Sequence, residues 1–159
     1  MKFFANLPRN TQVQLKLEPF NSLLNTTVLF YIPLLMKAVG LAESEIGLIG
    51  SISMVIGVLS QLVAPLIVDV LGRRKALVLG TYLSWVLPMI IWSFAADFVG
   101  FLMANMFNNM VRICSLAYYC YNTEDVDDAY KPAVFSYLSL LGHGSGVMAL
   151  VMVPLVGHF

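Results

Sequence analysis

Apolar residues run along this chain in five long blocks separated by short polar joins. The blocks cover about residues 20–39, 46–71, 76–94, 98–120 and 133–156. Each approaches or exceeds the roughly 20 residues that carry a helix across a bilayer core. The second is long enough to require tilt, or a helix that continues beyond the lipid. Gly40, Gly72, Asp97 and the pair Lys131-Pro132 punctuate the joins. The pattern predicts an all-α, polytopic transmembrane helix bundle of about five spans over residues 20–159. A cytoplasmic N-terminal segment, residues 1–19, precedes it. Between Pro8 and Pro19 polar and apolar residues alternate, which fits either a short helix lying on the membrane face or a disordered lead-in.

Within the blocks, small and polar residues fall on helical spacings. Gly50, Ser53, Gly57, Ser60 and Ala64 lie 3, 4, 3 and 4 apart, so they share one face of the second span. Small side chains let membrane helices approach closely where lipid supplies no hydrophobic drive. Gly142 and Gly146 repeat the motif in the fifth span. In the fourth span Asn105, Asn108, Arg112, Ser115 and Tyr119 make a polar stripe with the same periodicity. Arg112 lies near mid-span, where an arginine costs at least about 2.5–3.5 kcal/mol on insertion scales. It should face protein or a water-filled cavity, either against an anionic substrate or internal partner, or satisfied by backbone carbonyls. Asn25 adds a polar group early in the first span, and Pro33 is a candidate kink. His143 reads first as a packed hydrogen bonder and second as a group titrating near neutrality.

Composition and charge sharpen this picture. Of 159 residues, 59% are hydrophobic and 11% charged, against roughly 25% charged in a soluble domain. Nine basic and nine acidic residues cancel, and no basic tract suits nucleic acid. The distribution of cations sets the orientation. Lys2, Arg9 and Lys16 precede the first span, and Arg73, Arg74 and Lys75 separate the second from the third. Loops rich in Lys and Arg stay in the cytoplasm, in an inner or plasma membrane. The N-terminus, the turn at Arg73 and the acidic loop Glu124, Asp125, Asp127, Asp128 are therefore expected inside, and Phe159 outside. The apolar run after Met1 is shorter than a signal-peptide core, so no cleavage is expected. Cys114 and Cys120 lie six apart on one helix, facing apart, and read as apolar fillers. There is no His pair, Cys-x-x-Cys or phosphate-cradling loop, so neither a metal, a cofactor nor a soluble-type enzyme is expected.

The join at Gly72 carries a more specific signal. Asp69, Gly72, Arg73 and Arg74, followed by Leu77, resemble the signature after transmembrane helix two of the major facilitator superfamily of transporters. That signature has a Gly, then an Asp, then basic-x-Gly-Arg-Arg/Lys. Pro65 stands here in place of the Gly and Val70 in place of the basic residue. Glu45-Ile46-Gly47-Leu48 is similar to the start of the family's helix two. Ala104 to Leu140 resembles helices four and five, with Glu124-Asp125 where an acid is common. There Asn105 replaces a frequent Arg, and Asn109 and Val111 replace frequent glycines. The resemblance implies about five helices of an N-terminal half. It also implies a cytoplasmic charge network of Asp69, Gly72, Arg73, Arg74 and Glu124 that latches one conformation. Read locally, Asp69 at a helix C-terminus needs a nearby cation, and Gly72 permits the reversal. The alternative is that the three cations only anchor topology. Substrate-cavity candidates are Asn25, Asn105, Asn108, Arg112, Ser115 and His143. About five helices cannot enclose the cavity between two six-helix halves. The expected function is thus part of a secondary transporter for a small solute, completed by another helical half. The alternative is a transport-inactive subunit or assembly factor of a larger membrane complex.

Overall fold

The computed structural model describes residues 7–156. The apolar run at Met1–Asn6 that includes Lys2, and the terminal Phe159, lie outside the described residues. Among the described residues the chain is helical and has no strand. The helices are α1 (Arg9–Val39), α2 (Glu43–Leu71), α3 (Arg73–Thr81), α4 (Leu87–Phe94), α5 (Phe98–Asn109), α6 (Val111–Thr123) and α7 (Lys131–Val156). A π-helical turn, Tyr82–Val86, joins α3 to α4, so that Arg73–Phe94 forms one rod.

The chain divides into two compact units. One contains the described residues up to Leu34 together with those from Asn122 onward; the other is Leu35–Tyr121. The first boundary falls inside α1, beside Pro33.

In the larger unit, local chemistry explains each join. Gly40, at φ 99°, ends α1. Leu41 N–H donates to Met36 O at 3.1 Å and Gly40 N–H to Lys37 O at 3.1 Å, the paired bonds of a Schellman end. The Glu45 carboxylate then accepts from Ala42 N–H at 2.8 Å and satisfies the first orphan donor of α2. Lys37 and Glu43 pair across this turn at 3.0 Å, both exposed. Between α2 and α3 there is only Gly72, at φ 77° and ψ 151°. Asp97 caps α5 by accepting from Gly100 N–H at 2.8 Å.

The packing is inverted relative to a water-soluble bundle. α2 buries Ile49, Ser53, Gly57, Ser60, Ala64 and Val68, mostly small side chains. It exposes Met54, Leu62, Leu66 and Val70, the last at 84%. The small face packs on α5, where a Cβ added to Gly57 would lie 3.1 Å from Asn109 Oδ1. Gly50, expected on this face, is exposed with open space around it. Large apolar side chains outside and small ones inside are stable where the solvent is hydrocarbon.

Among the described residues three helical rods are long and apolar enough to cross a membrane: Arg9–Val39, Glu43–Leu71 and Arg73–Phe94. The first begins at Arg9, well before the apolar block, because a helix can carry polar residues beyond the lipid. The expected fourth span is two helices rather than one. α5 is 12 residues, about 18 Å at the α-helical rise, too short alone for a core about 30 Å thick. It breaks at Met110, whose ψ is −4°, and α6 continues from Val111. Asparagine chemistry accounts for the break. Asn105 Nδ2 donates to Phe101 O at 2.8 Å and Asn109 Nδ2 to Asn105 O at 3.0 Å, so side chains compete with the helical ladder just before it. α7 has 26 residues, about 39 Å, and places Pro132 in its first turn, where a missing N–H costs nothing.

Candidate functional site

At the Gly72 turn the ends of α2 and α3 are held by a small apolar cluster of Val68, Ala76 and Ala117, flanked by Leu77 and Leu116. Gly72 N–H donates to Val68 O at 2.9 Å, and Ala76 N–H to Gly72 O at 3.0 Å. Helix therefore stops and restarts around one residue. Asp69, Arg73, Arg74 and Lys75 all stand exposed around it. The three cations occupy the first turn of α3, the positive end of its dipole, where they are locally unfavourable. Arg74 has found a partner: its guanidinium carbon lies 5.7 Å from the centre of the Tyr121 ring, a cation–π distance. Asp69 makes no hydrogen bond or ion pair among the described residues. Glu124 belongs to the other unit and is exposed in the acidic loop. In that loop Lys131 Nζ lies 2.6 Å from Asp128 and holds its carboxyl below the usual carboxylate value by hydrogen bond and charge. Asp127 Oδ1 accepts from Ala129 N–H at 3.0 Å, closing the turn that leads into α7.

The break at Met110 divides the polar stripe. Asn105 and Asn108 lie on α5; Arg112, Ser115 and Tyr119 lie on α6. Asn108 is buried and donates from Nδ2 to Ser84 O at 2.8 Å. Asn105 and Ser115 bond carbonyls of their own helices, Ser115 to Val111 O at 2.9 Å. Tyr119 meets Tyr118 edge-on, with ring centroids 5.7 Å apart. Arg112 is exposed and has no hydrogen-bond or ion-pair partner among the described residues. The stripe therefore contains one buried strut, one amide and one hydroxyl bonded to their own helices, one tyrosine in an edge-on ring contact, and one exposed cation.

Two close contacts in this unit carry no sequence expectation. A Cβ on Gly80 would sit 2.7 Å from Cys114 Cβ, so α3 and α6 touch backbone to side chain. Ser84 Oγ donates to Gly80 O at 2.7 Å and lies 3.7 Å from Cys114 Sγ. The spacing Gly80-x-x-x-Ser84 was the available signal, because two small residues four apart mark a close helix contact.

The chain is similar to one known family. The model of the MFS_1 like family, major-facilitator-like transporters, matches residues 24–123, more than half of the sequence. The chain belongs to the MFS_1 like family. No curated protein and no solved structure matches it. The stretch shared with the MFS_1 like family takes in the small-residue face of α2, the Gly72 turn, the π-turn and both halves of the broken span. With the three long apolar rods, membership makes this an integral membrane protein related to transporters.

The remaining candidates lie in the other unit. Asn25 Nδ2 donates to Asn21 Oδ1 at 3.3 Å. His143 is exposed, its Nδ1 2.7 Å from Ser139 O, a geometry that places a proton on Nδ1. Gly142 and Gly146 face α1: added Cβ atoms would lie 3.4 Å from Ser22 Oγ and 3.7 Å from Thr26 Oγ1. Glu18, half-buried, accepts from Ser22 Oγ at 3.0 Å and lies 3.6 Å from that Cβ position on Gly142. Glu18 lies before the first apolar block but within the helix that starts at Arg9. Among the described residues no group of His, Cys, Asp or Glu side chains is arranged to hold a metal ion.

Proposed function

We propose that this chain forms part of a secondary transporter that moves a small solute across the membrane by alternating access, together with another helical half. Arg112 carries the reading. An exposed guanidinium in the second half of the broken span is expensive against lipid and inexpensive against a water-filled path. Being permanently cationic, it suits an anionic or zwitterionic solute rather than proton carriage. In this reading the chain crosses the membrane about five times, with the N-terminus, the Gly72 turn and the acidic loop in the cytoplasm. Three cations at the unfavourable end of α3 support that side, since their local cost is offset by retention in the cytoplasm. The exposed turn of Asp69, Arg73 and Arg74 then acts as a gating element at the cytoplasmic surface: an exposed pair that Asp69 forms in another conformation contributes at most about 1 kcal/mol, a size a switch can open.

The test is uptake by proteoliposomes containing the chain with any helical partner that co-purifies. A panel of radiolabelled small organic anions and zwitterions is offered. Arg112→Ala is expected to reduce uptake of the accepted solute at least 10-fold, with protein level and melting temperature retained. Equal uptake by this variant removes Arg112 from the path.

A second reading is supported by the turn itself. Asp69 has no ion pair among the described residues, and Val70 and Pro65 replace the basic residue and the Gly of the superfamily signature. These features suit a chain that serves as a membrane subunit or assembly factor without transporting. Native purification in fixed stoichiometry with unrelated membrane proteins, and no flux in the panel, would establish that reading instead.

A further inference from the structure

The rod Arg73–Phe94 contains a wide turn with an identifiable cause. Pro88 has no N–H, and it is fully buried. In an unbroken α-helix the Ser84 carbonyl would accept from residue 88, so Pro88 deprives it of its donor. The backbone opens by one residue instead, and Leu87 N–H reaches back to Tyr82 O. The freed Ser84 carbonyl is buried, and a neighbouring helix satisfies it: Asn108 Nδ2 donates to it at 2.8 Å. A proline within a membrane helix is tolerated when a neighbour re-satisfies the freed group in this way. On the other side of the turn, Gly80 abuts Cys114, and Ser84 Oγ lies 3.7 Å from Cys114 Sγ. Asn108 precedes the Met110 break and Cys114 follows it. Two helix irregularities, the π-turn in one rod and the break in the next, therefore meet at one buried node.

We propose that this node is a coupled hinge. The rod bends at Tyr82–Val86, the α5–α6 pair bends at Met110, and the Asn108 bond to the Ser84 carbonyl makes the two bend together. With that bond made, both irregularities are fixed. Without it, the buried Ser84 carbonyl loses the donor that stands in for the N–H missing at Pro88, and the π-turn is free to exchange with other geometries. Kinks arise at prolines and π-bulges for such reasons, and one-turn π-bulges are frequent at functional sites. The inference depends on neither reading of the function, since it concerns only how these helices deform.

Amide hydrogen exchange of the full chain in lipid nanodiscs, read by mass spectrometry, tests it. Asn108→Leu is expected to speed exchange at least 10-fold both at Tyr82–Leu87 and at Met110–Ile113, leaving the first half of α2 unchanged. Pro88→Ala, which restores the missing donor, is expected to slow exchange at Tyr82–Leu87 and to suppress the effect of Asn108→Leu in the double variant. Faster exchange in one segment alone, or a uniform rise throughout the chain, overturns the coupling. Unchanged exchange in Pro88→Ala overturns the hinge, whatever Asn108→Leu does.

Discussion

At the residue scale, space rather than residue type decides what a glycine does. Gly80 and Gly50 both lie within apolar helices, but only Gly80 has a neighbour in the way. A methyl there would stand 2.7 Å from Cys114 Cβ and 3.2 Å from the Cys114 backbone, which has no flexible end to give. Gly80→Ala must therefore push α3 and α6 apart, at a cost of about 1–3 kcal/mol typical of overpacking. Gly50→Ala meets nothing within 4 Å and gains the better helix propensity of Ala, up to about 1 kcal/mol. Thermal unfolding in detergent should show a lower melting temperature for the first variant and an equal or higher one for the second. Cys114→Gly should recover part of the loss in Gly80→Ala. Of the stripe on α2, Ser53, Gly57, Ser60 and Ala64 were legible from spacing because a helix face repeats. The exposure of Gly50 was not, since periodicity says which residues share a face but not where a neighbouring helix stops covering it. Asn108 shows the same limit. Its place on a polar stripe was readable, but its bond to the Ser84 carbonyl depends on a proline in another helix.

At the element scale, the joins were the most legible part of the fold, because each rests on local chemistry. Gly40, Gly72 and Asp97 end or begin helices where the sequence puts them. The break at Met110 and the π-turn were hidden, since hydropathy reports composition and both interruptions lie within apolar blocks. Their causes, the amides of Asn105 and Asn109 and the absent N–H of Pro88, act through hydrogen bonding. The Gly72 turn gives the sharpest test at this scale. It links α2 and α3 through one residue at φ 77° and ψ 151°, a conformation essentially confined to glycine. Nothing lies within 4 Å of a Cβ there, so the expected effect of Gly72→Ala is backbone strain alone, about 1–3 kcal/mol. The variant should melt at a lower temperature, and exchange at Val68–Ala76 should quicken first. A melting temperature equal to that of the natural chain would mean that the turn adopts another geometry when strained.

For the whole molecule, the decisive property is which solvent the surface matches. Leu62, Leu66 and Val70 point outward at 67–84% exposure while Ser53, Ser60 and Gly57 are buried. A chain arranged this way in water would leave its largest apolar side chains wet and spend its burial on hydroxyls, whereas in lipid both choices are favourable. That sets the medium but not the direction of insertion, which rests on the cations. Arg73, Arg74 and Lys75 follow α2; no cation lies at the opposite join, around Ala96 and Asp97. Both joins are exposed, so single cysteines at Lys75 and Ala96 report their sides directly. The natural Cys114 is buried and Cys120 is half-buried, and replacing Cys120 with serine leaves a quiet background. An impermeant maleimide applied to intact cells should modify Ala96→Cys and spare Lys75→Cys, and permeabilisation should expose both. The reverse labelling would invert the proposed orientation, and labelling of both positions in intact cells would show that the rod between them does not cross the membrane.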